Sequence, residues 1–188
     1  CFEKASNDNS IMSIIPESNK TTGNIGVEYL IFKYRLNIYN EHFFPINHNL
    51  IGIKGAKLED IKNVYSHAQA LSQASKFIKR NNLIGNVRAD TAGSAKYISE
   101  EKDKTKGAIA SKLSANIYNL QILKENVQDD KDNFTRFLIM GKDILQPEVD
   151  NNKYITSFLF KLRDKPAALY SALSGFAING VNMTKLQS

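Results

Sequence analysis

Thr135 and Arg136 place a hydroxyl beside a guanidinium, within the NFTRF segment at residues 133–137. A threonine hydroxyl can bind a carboxylate or donate a hydrogen bond to a departing hydroxyl group. Arginine recognises a carboxylate through two parallel hydrogen bonds. The segment also has the alternation of an ordinary half-buried strand. The residues alone therefore leave two interpretations open, a carboxylate site and a structural strand.

Small polar residues follow several predicted strands and open the next helix, at residues 21–23, 66–67 and 91–94. Free N–H groups at a helix start bind anions, and serine or threonine hydroxyls add donors. Such turns gather at one edge of a parallel α/β sheet, where ligands bind. Each turn alone could be plain helix capping, but the three together favour a small carboxylate ligand.

Other kinds of site lack sequence support. The candidate metal ligands have no ligand spacing; they are His42, His48, His67, Asp129, Asp130 and Asp132. The aspartates lack the glycine and final glutamate of a calcium loop. The sequence contains no HExxH, GxxxxGK[ST], GxGxxG or GxSxG motif. We therefore expect no metal and no nucleotide cofactor.

The composition is that of an ordinary globular protein, with 42% hydrophobic and 23% charged residues. The formal charge of +6 comes from scattered lysines and arginines, so we expect neither nucleic acid nor membrane as a partner. Cys1 is the one cysteine, which excludes an internal disulfide and fits a cytoplasmic location. No apolar run approaches the roughly 18 residues that span a bilayer.

Hydrophobic spacing predicts alternating strands and helices, hence an α/β fold with largely parallel pairing. The predicted strands are residues 10–15 (ended by Pro16), 64–65, 87–89, 107–110 and 135–140, with an extended segment at 43–53. The predicted helices are residues 27–34, 68–80, 95–99 and 112–123. A linker at 143–153 precedes a strand (155–162), a helix (167–178) and a strand (182–186) that begin a second domain.

These segments together resemble the prephenate dehydratase family. The resemblance lies, in the family's order, in residues 45–50 (its P-I-x-H-x-L), 65–71 (YSHPQAL), 90–95 (D-T-A-G-A-A), 108–111 (A-I-A-S), 127–129 (IQD) and 133–137 (N-x-T-R-F). It implies a two-lobed α/β domain over residues 1–146, of the type II periplasmic-binding-protein-like class, with the active site in a cleft between the lobes. It also implies crossovers between the lobes near residues 47–55 and 128–135.

The resemblance implies a cofactor-free lyase that converts prephenate to phenylpyruvate, carbon dioxide and water in phenylalanine biosynthesis. Thr135 would assist departure of the hydroxyl, and Arg136 would join it as a catalytic residue by holding a carboxylate. The implied substrate-binding residues are Asn19, Ser66, His67, Gln69, Thr91, Ala92, Asn133 and Phe137.

The tail, residues 153–188, resembles the beginning of a ferredoxin-like ACT domain, the amino-acid-sensing module of this family. Residues 165–170 are similar to its P-G-A-L-Y, and residues 180–188 lead toward its E-S-R-P. The implied L-phenylalanine contacts are Ala167, Ala168, Leu169, Gln187 and Ser188. The resemblance further implies a homo-oligomer for the full-length protein.

The sequence also departs from the family. The family's first strand has no counterpart here, and its P-I-E-N-S-x-x-G turn appears as residues 16–23 with Asn19 kept. Ser18 stands at the acidic position and Lys20 at the serine position. Two alternatives to an active enzyme follow: a non-catalytic carboxylate-binding module, or an inactive relic that does not fold alone because a sheet edge is unpaired.

Overall fold

A computed structural model describes residues 1–21, 23–26, 28–144, 154–157, 160–184 and 186. The chain divides into two compact units, Cys1–Pro147 and Glu148–Ser188. Most of the predicted linker, residues 145–153, lies outside the described residues.

The described residues form the following elements. The helices are α1 (Phe2–Asn7), α2 (Glu28–Tyr34), α3 (Ala68–Gln73), α4 (Ser75–Arg80), α5 (Thr91–Glu101), α6 (Lys112–Ile117) and α7 (Ala168–Ile178). The strands are β1 (Ser13–Asn19), β2 (Gly23–Asn24), β3 (Asn37–Pro45), β4 (Asn49–Gly52), β5 (Asn63–Ser66), β6 (Ile84–Val87), β7 (Lys106–Ala110), β8 (Gln121–Lys124) and β9 (Phe134–Gly141). A 3-10 turn occupies Leu58–Asp60.

The first sheet, sheet A, has the order β2-β1-β9-β3, and every pairing in it is antiparallel. Side chains of β1 alternate between buried and more exposed positions, as expected of a strand with one covered face. The buried face packs around Ile15, Leu138 and Met140 beneath α1 and α2. Sheet A is therefore the core of the first lobe.

The second sheet, sheet B, has the order β6-β5-β7-β4-β8. Two apolar clusters pack on it. One contains Leu50, Val64 and Phe77 and includes residues of α3 and α4. The other contains Ile51 and Ile98 and includes residues of α5 and α6. Sheet B is thus covered by helices on both faces and forms the second lobe.

The predicted two-lobed α/β architecture is confirmed, but the prediction of largely parallel pairing is wrong. Among the described strands only β5–β6 and β5–β7 pair in parallel. The extended segment predicted at 43–53 is divided between β3 of sheet A and β4 of sheet B. The helix predicted at 112–123 ends at Ile117, and its last residues form β8 beside β4.

Other boundaries also differ from those predicted. Pro16 does not end the first strand, which continues to Asn19 with a bulge between Pro16 and Ser18. The helix predicted at 68–80 is interrupted at Ala74, where φ is −115° and ψ is 21°. In the second unit α7 forms as predicted, whereas residues 155–157, 160 and 182–184 are not in strands.

The chain crosses between the sheets twice, between β3 and β4 and again between β8 and β9. Both crossings fall where the family resemblance predicts them. Segments at the two crossings lie side by side, since the Val127 N–H donates to the His48 carbonyl at 2.8 Å. In the described part of the chain, no helix is long and apolar enough to cross a bilayer.

Candidate active site

An open cleft of about 300 Å³ lies between the two lobes of the first unit. Sheet A contributes Asn19 from β1 and Thr135 from β9. The remaining lining residues are Ile25, Ile46, His48, His67, Gln69, Ala70, Gln73, Asp90 and Thr91. The cleft therefore collects residues from three of the four segments that suggested a carboxylate site, namely 66–67, 91–94 and 133–137.

The Asn19 side chain is held by the main chain on both sides. Its Nδ2 donates to the Phe134 carbonyl at 3.0 Å, and its Oδ1 accepts from the Thr21 N–H at 3.0 Å. A carbonyl can only accept and a backbone N–H can only donate. The orientation of the Asn19 amide is therefore fixed by the backbone.

This orientation determines whether the Thr135 hydroxyl accepts or donates in its hydrogen bond with Asn19. Asn19 and Thr135 are direct partners across β1 and β9, and Asn19 Nδ2 lies 3.0 Å from Thr135 Oγ1. The Thr135 oxygen is the acceptor in this bond, so its own proton is not used in it. The same Nδ2 also lies 3.0 Å from Asn133 Oδ1, so its two protons are shared among three acceptors. Thr135 is thereby free to donate its hydroxyl proton into the cleft.

Gln73 links the second lobe to this group. Its Nε2 donates to Asn19 Oδ1 at 3.1 Å, and its Oε1 accepts from Asn133 Nδ2 at 3.1 Å. A helix that ran unbroken over residues 68–80 would turn Gln73 outward, but only 8% of Gln73 is exposed. The break at Ala74 ends α3 at Gln73, and the Gln73 carbonyl accepts from the Asp129 N–H at 2.6 Å. The second crossing thus holds this end of the helix against the site.

His48 completes the buried amide network. Its Nε2 lies 2.8 Å from Gln73 Oε1, and its main-chain N–H donates to Gln128 Oε1 at 3.0 Å. Burial lowers the pKa of His48, and the bond to Gln73 opposes this only partly. His48 is therefore neutral at pH 7. It was not among the predicted site residues, although it lies in the segment at 45–50 that carries part of the family resemblance.

The structure does not bring Arg136 to the cleft. Side chains alternate along β9, so the residue next to Thr135 points to the other face of sheet A. There the Arg136 Nε donates to Glu41 at 2.6 Å and its Nη1 to Glu17 at 3.4 Å. The guanidinium connects β9 to both of its neighbouring strands.

Among the other predicted binding residues, some line the cleft and some do not. His67, Gln69 and Thr91 line the cleft. His67 caps α3, with its Nδ1 accepting from the Gln69 N–H at 3.3 Å. Ser66 is fully buried and donates to the Ile109 carbonyl at 2.6 Å, which ties β5 to β7.

Ala92 and Phe137 are not among the residues that line the cleft. The Phe137 ring packs edge-on against Phe44, with the centroids 6.4 Å apart. Asp90 does line the cleft, although it was not among the predicted site residues; its carboxylate accepts from the Gly93 N–H at the start of α5.

The residues that depart from the family motif point away from the cleft. Lys20 forms ion pairs of 3.6 Å with Asp130 and Asp132. Ser18 donates to the Glu17 carboxylate, which also pairs with Arg136. Neither Ser18 nor Lys20 lines the cleft.

Eight of the eleven residues that line the cleft are polar, and none of the described lining residues is a lysine or an arginine. Hydroxyls, amides and the His67 imidazole are the groups available to hold an anion, whereas the Asp90 carboxylate would repel one. The described residues also contain no group of three His, Cys, Asp or Glu side chains arranged to bind a metal. The chemistry that this lining can supply is hydrogen bonding to a carboxylate and to a hydroxyl.

The predicted phenylalanine contacts lie in the second unit. Ala167 caps α7 in the left-handed conformation with φ of 61°, and Ala168 and Leu169 form the first turn. Gln187 and Ser188 lie outside the described residues.

Comparison with known proteins identifies relatives along the whole chain. A family model described as prephenate dehydratase matches residues 1–144. Arogenate dehydratase/prephenate dehydratase 1 of Arabidopsis thaliana is 43% identical, over 94% of this chain and 45% of that protein. Prephenate dehydratase of Methanocaldococcus jannaschii is 39% identical, over 100% of this chain and 68% of that protein. The chain thus spans about half the length of its plant relative.

A solved structure shows the same fold. Prephenate dehydratase from Arthrobacter aurescens in complex with L-Phe has a TM-score of 0.81 at 24% identity, over 99% of this chain and 63% of that one. Prephenate dehydratases have the type II periplasmic-binding-protein-like fold, so the predicted fold class of the first unit is confirmed.

Proposed function

Because the chain belongs to the prephenate dehydratase family, we propose that its cleft converts prephenate to phenylpyruvate, carbon dioxide and water. This is a carbon–oxygen lyase reaction of phenylalanine biosynthesis. The observation that supports it most directly is the bond from Asn19 Nδ2 to Thr135 Oγ1, which leaves the Thr135 proton available to a ligand.

The reaction needs little more than a well-placed hydrogen-bond donor. The ring carboxylate leaves as carbon dioxide, and the electrons of its bond enter the ring and break the bond to the ring hydroxyl. Prephenate is a dianion, and it yields the phenylpyruvate monoanion, carbon dioxide and hydroxide. The hydroxide takes up one proton to become water. A hydrogen bond from Thr135 stabilises the charge that develops on the departing oxygen.

The substrate carboxylates would be held without lysine or arginine. Thr91 and Gln69 provide a hydroxyl and an amide at the cleft wall, and His67 provides an imidazole. The start of α5, an 11-residue helix, adds a partial positive charge next to Asp90 and Thr91. Several donors rather than one fixed charge would hold the dianion, and they must also offset the negative charge of Asp90.

The test is formation of phenylpyruvate from prephenate by the purified chain, with Thr135→Ala and Thr135→Ser as variants. We expect turnover by the wild-type chain, retention of activity in Thr135→Ser, and loss of about 100-fold or more in Thr135→Ala. Arogenate is assayed in parallel, since a plant relative carries both names. A folded Thr135→Ala protein with full activity would refute the role of Thr135, and binding without turnover would favour a non-catalytic module.

We further propose that the second unit binds L-phenylalanine through an ACT-type segment including Ala167, Ala168 and Leu169. We also propose that the full-length protein is a cytoplasmic homo-oligomer. The Arthrobacter aurescens relative is described in complex with L-Phe. A saturable rise in Tm with L-phenylalanine, lost in Leu169→Lys, is the expected result. Light scattering of the full-length protein and cell fractionation test the other two statements.

A further inference from the structure

The protonation of the His48 ring follows from the hydrogen bonds of Asn19. The backbone fixes Asn19 with its Oδ1 facing Gln73. Asn19 Oδ1 is an acceptor here, so the Gln73 atom bonded to it must be the donor Nε2. The other atom of the Gln73 amide, Oε1, therefore faces His48. An amide oxygen can only accept, and His48 Nε2 must therefore carry a proton. In the neutral ring this leaves Nδ1 unprotonated.

The second nitrogen, Nδ1, is not sealed from solvent in the described part of the chain. His48 lines the cleft, and no described residue donates to its Nδ1. In the described part of the chain, Ser13 Oγ is the one side-chain polar atom that is both sealed from solvent and unpaired. Nδ1 is therefore not sealed, and the cleft is the space that the His48 residue lines.

The lone pair selects among the polar groups of the substrate. Prephenate has two carboxylates, a ketone and a ring hydroxyl, and at neutral pH only the hydroxyl has a proton to donate. The lone pair repels carboxylate and ketone oxygens but accepts a hydrogen bond from a hydroxyl. Nδ1 of His48 as acceptor and Thr135 as donor are the two partners that one hydroxyl group needs.

We propose that His48 Nδ1 accepts the proton of the substrate's ring hydroxyl and thereby turns a lone pair of the departing oxygen toward the Thr135 hydroxyl. This inference rests on the proposed function. It makes His48 a contact of the leaving group, with its ring orientation set by Gln73 and Asn19. No proton is transferred to His48, since the hydroxyl keeps its hydrogen and leaves with it.

Two substitutions separate the two ring nitrogens. His48→Gln can still donate to Gln73 but has no acceptor at the Nδ1 position. His48→Asn places an amide oxygen near the Nδ1 position but does not reach Gln73. We expect KM for prephenate to rise about 10- to 100-fold in His48→Gln, with kcat changed by less than about threefold, because the hydroxyl is a stronger donor before it departs than after. His42→Gln, on the exposed face of β3, is the matched control and should match the wild type.

The 15N spectrum of the His48 ring distinguishes substrate contact from a purely structural role. If the role were purely structural, the ring signals would not change when prephenate binds. In the free wild-type protein we expect protonated Nε2 and unprotonated Nδ1. Adding prephenate to the Thr135→Ala protein should shift the Nδ1 signal alone. A protonated Nδ1 in the free protein, no shift with bound prephenate, or wild-type KM in His48→Gln would each overturn the proposal. Wild-type protein that makes no phenylpyruvate would instead refute the proposed function, while the tautomer remains measurable.

Discussion

The side-chain amide of Asn19 donates a 3.0 Å hydrogen bond to the Thr135 hydroxyl across 116 residues of sequence. The two residues are direct partners on adjacent strands, and Gln73 of the other lobe holds the same amide from its opposite side. The availability of the Thr135 proton is therefore determined by a residue from each lobe. The first prediction addresses this relationship.

Asn19→Asp should abolish activity and destabilise the fold. The substitution places an oxygen where Nδ2 now donates, so the Thr135 proton would be drawn to the new carboxylate. We expect turnover to fall about 100-fold or more and the free energy of unfolding to fall by about 2–4 kcal/mol. Steady-state kinetics and urea unfolding measure the two effects. Asn116→Asp, an exposed substitution on α6, is the control, and an Asn19→Asp protein with normal turnover would contradict the arrangement.

Arg136→Met should affect stability more than substrate binding. Glu17 is only 5% exposed and would lose its ion pair with Arg136. We expect a loss of about 3–5 kcal/mol in the free energy of unfolding, partly recovered when Glu17→Gln is added. KM for prephenate should change by less than about threefold in folded protein. A much larger rise in KM, without loss of stability, would instead place the guanidinium on a substrate carboxylate.

The free energy of unfolding should decrease as the pH falls below about 6.5, the ordinary pKa of histidine. Burial lowers the pKa of His48 in the folded state, so below about pH 6.5 the unfolded chain takes up a proton that the folded chain does not. The free energy of unfolding should then fall by up to about 1.4 kcal/mol per pH unit, until the folded-state pKa is reached. Urea unfolding between pH 5.5 and pH 7.5 (roughly the window where carboxylates contribute little) measures the slope. The slope should be smaller in His48→Gln, and an equal slope in both proteins would assign it to another group.

Gly107→Ala should destabilise sheet B. Gly107 lies on β7, between β4 and β5. An added Cβ would lie 3.0 Å from Leu50 Cδ1 and 3.1 Å from the Ile51 carbonyl oxygen, which is closer than normal contact. We expect a loss of about 1–3 kcal/mol, measured by thermal unfolding. Gly85→Ala on the edge strand β6 is the control, since its Cβ would meet Leu71 at an ordinary 3.8 Å.

Regular hydrophobic spacing made much of the fold predictable. The residues of α2, α7 and β9 follow one period throughout, and all three form close to the predicted positions. The first part of β3 was missed because its register shifts between Ile38 and Asn40, which interrupts the period of two. Strand β8 was missed because its apolar residues also continue the helical spacing of α6.

The site was predictable to the extent that its residues stand next to recognisable motifs. Asn19, His67, Gln69, Thr91 and Thr135 were predicted and line the cleft. Gln73 was missed because the helix that should turn it outward is broken at Ala74. That break depends on Asp129, more than 50 residues later, whose carboxylate accepts from the Lys76 N–H at the start of α4. Local spacing does not contain this information.

Sheet A also has a consequence for the order of synthesis on the ribosome. Strands β1 and β3 do not pair with each other, and both pair with β9, which is the last strand of the sheet to be made. Residues 49–124 contain every strand of sheet B, so that lobe is complete when β1 and β3 still lack their central partner. At roughly 5–20 residues per second, β1 would wait about 6–23 seconds for β9. During this interval, shielding of β1 and β3 by a nascent-chain chaperone would determine how much protein reaches the native state.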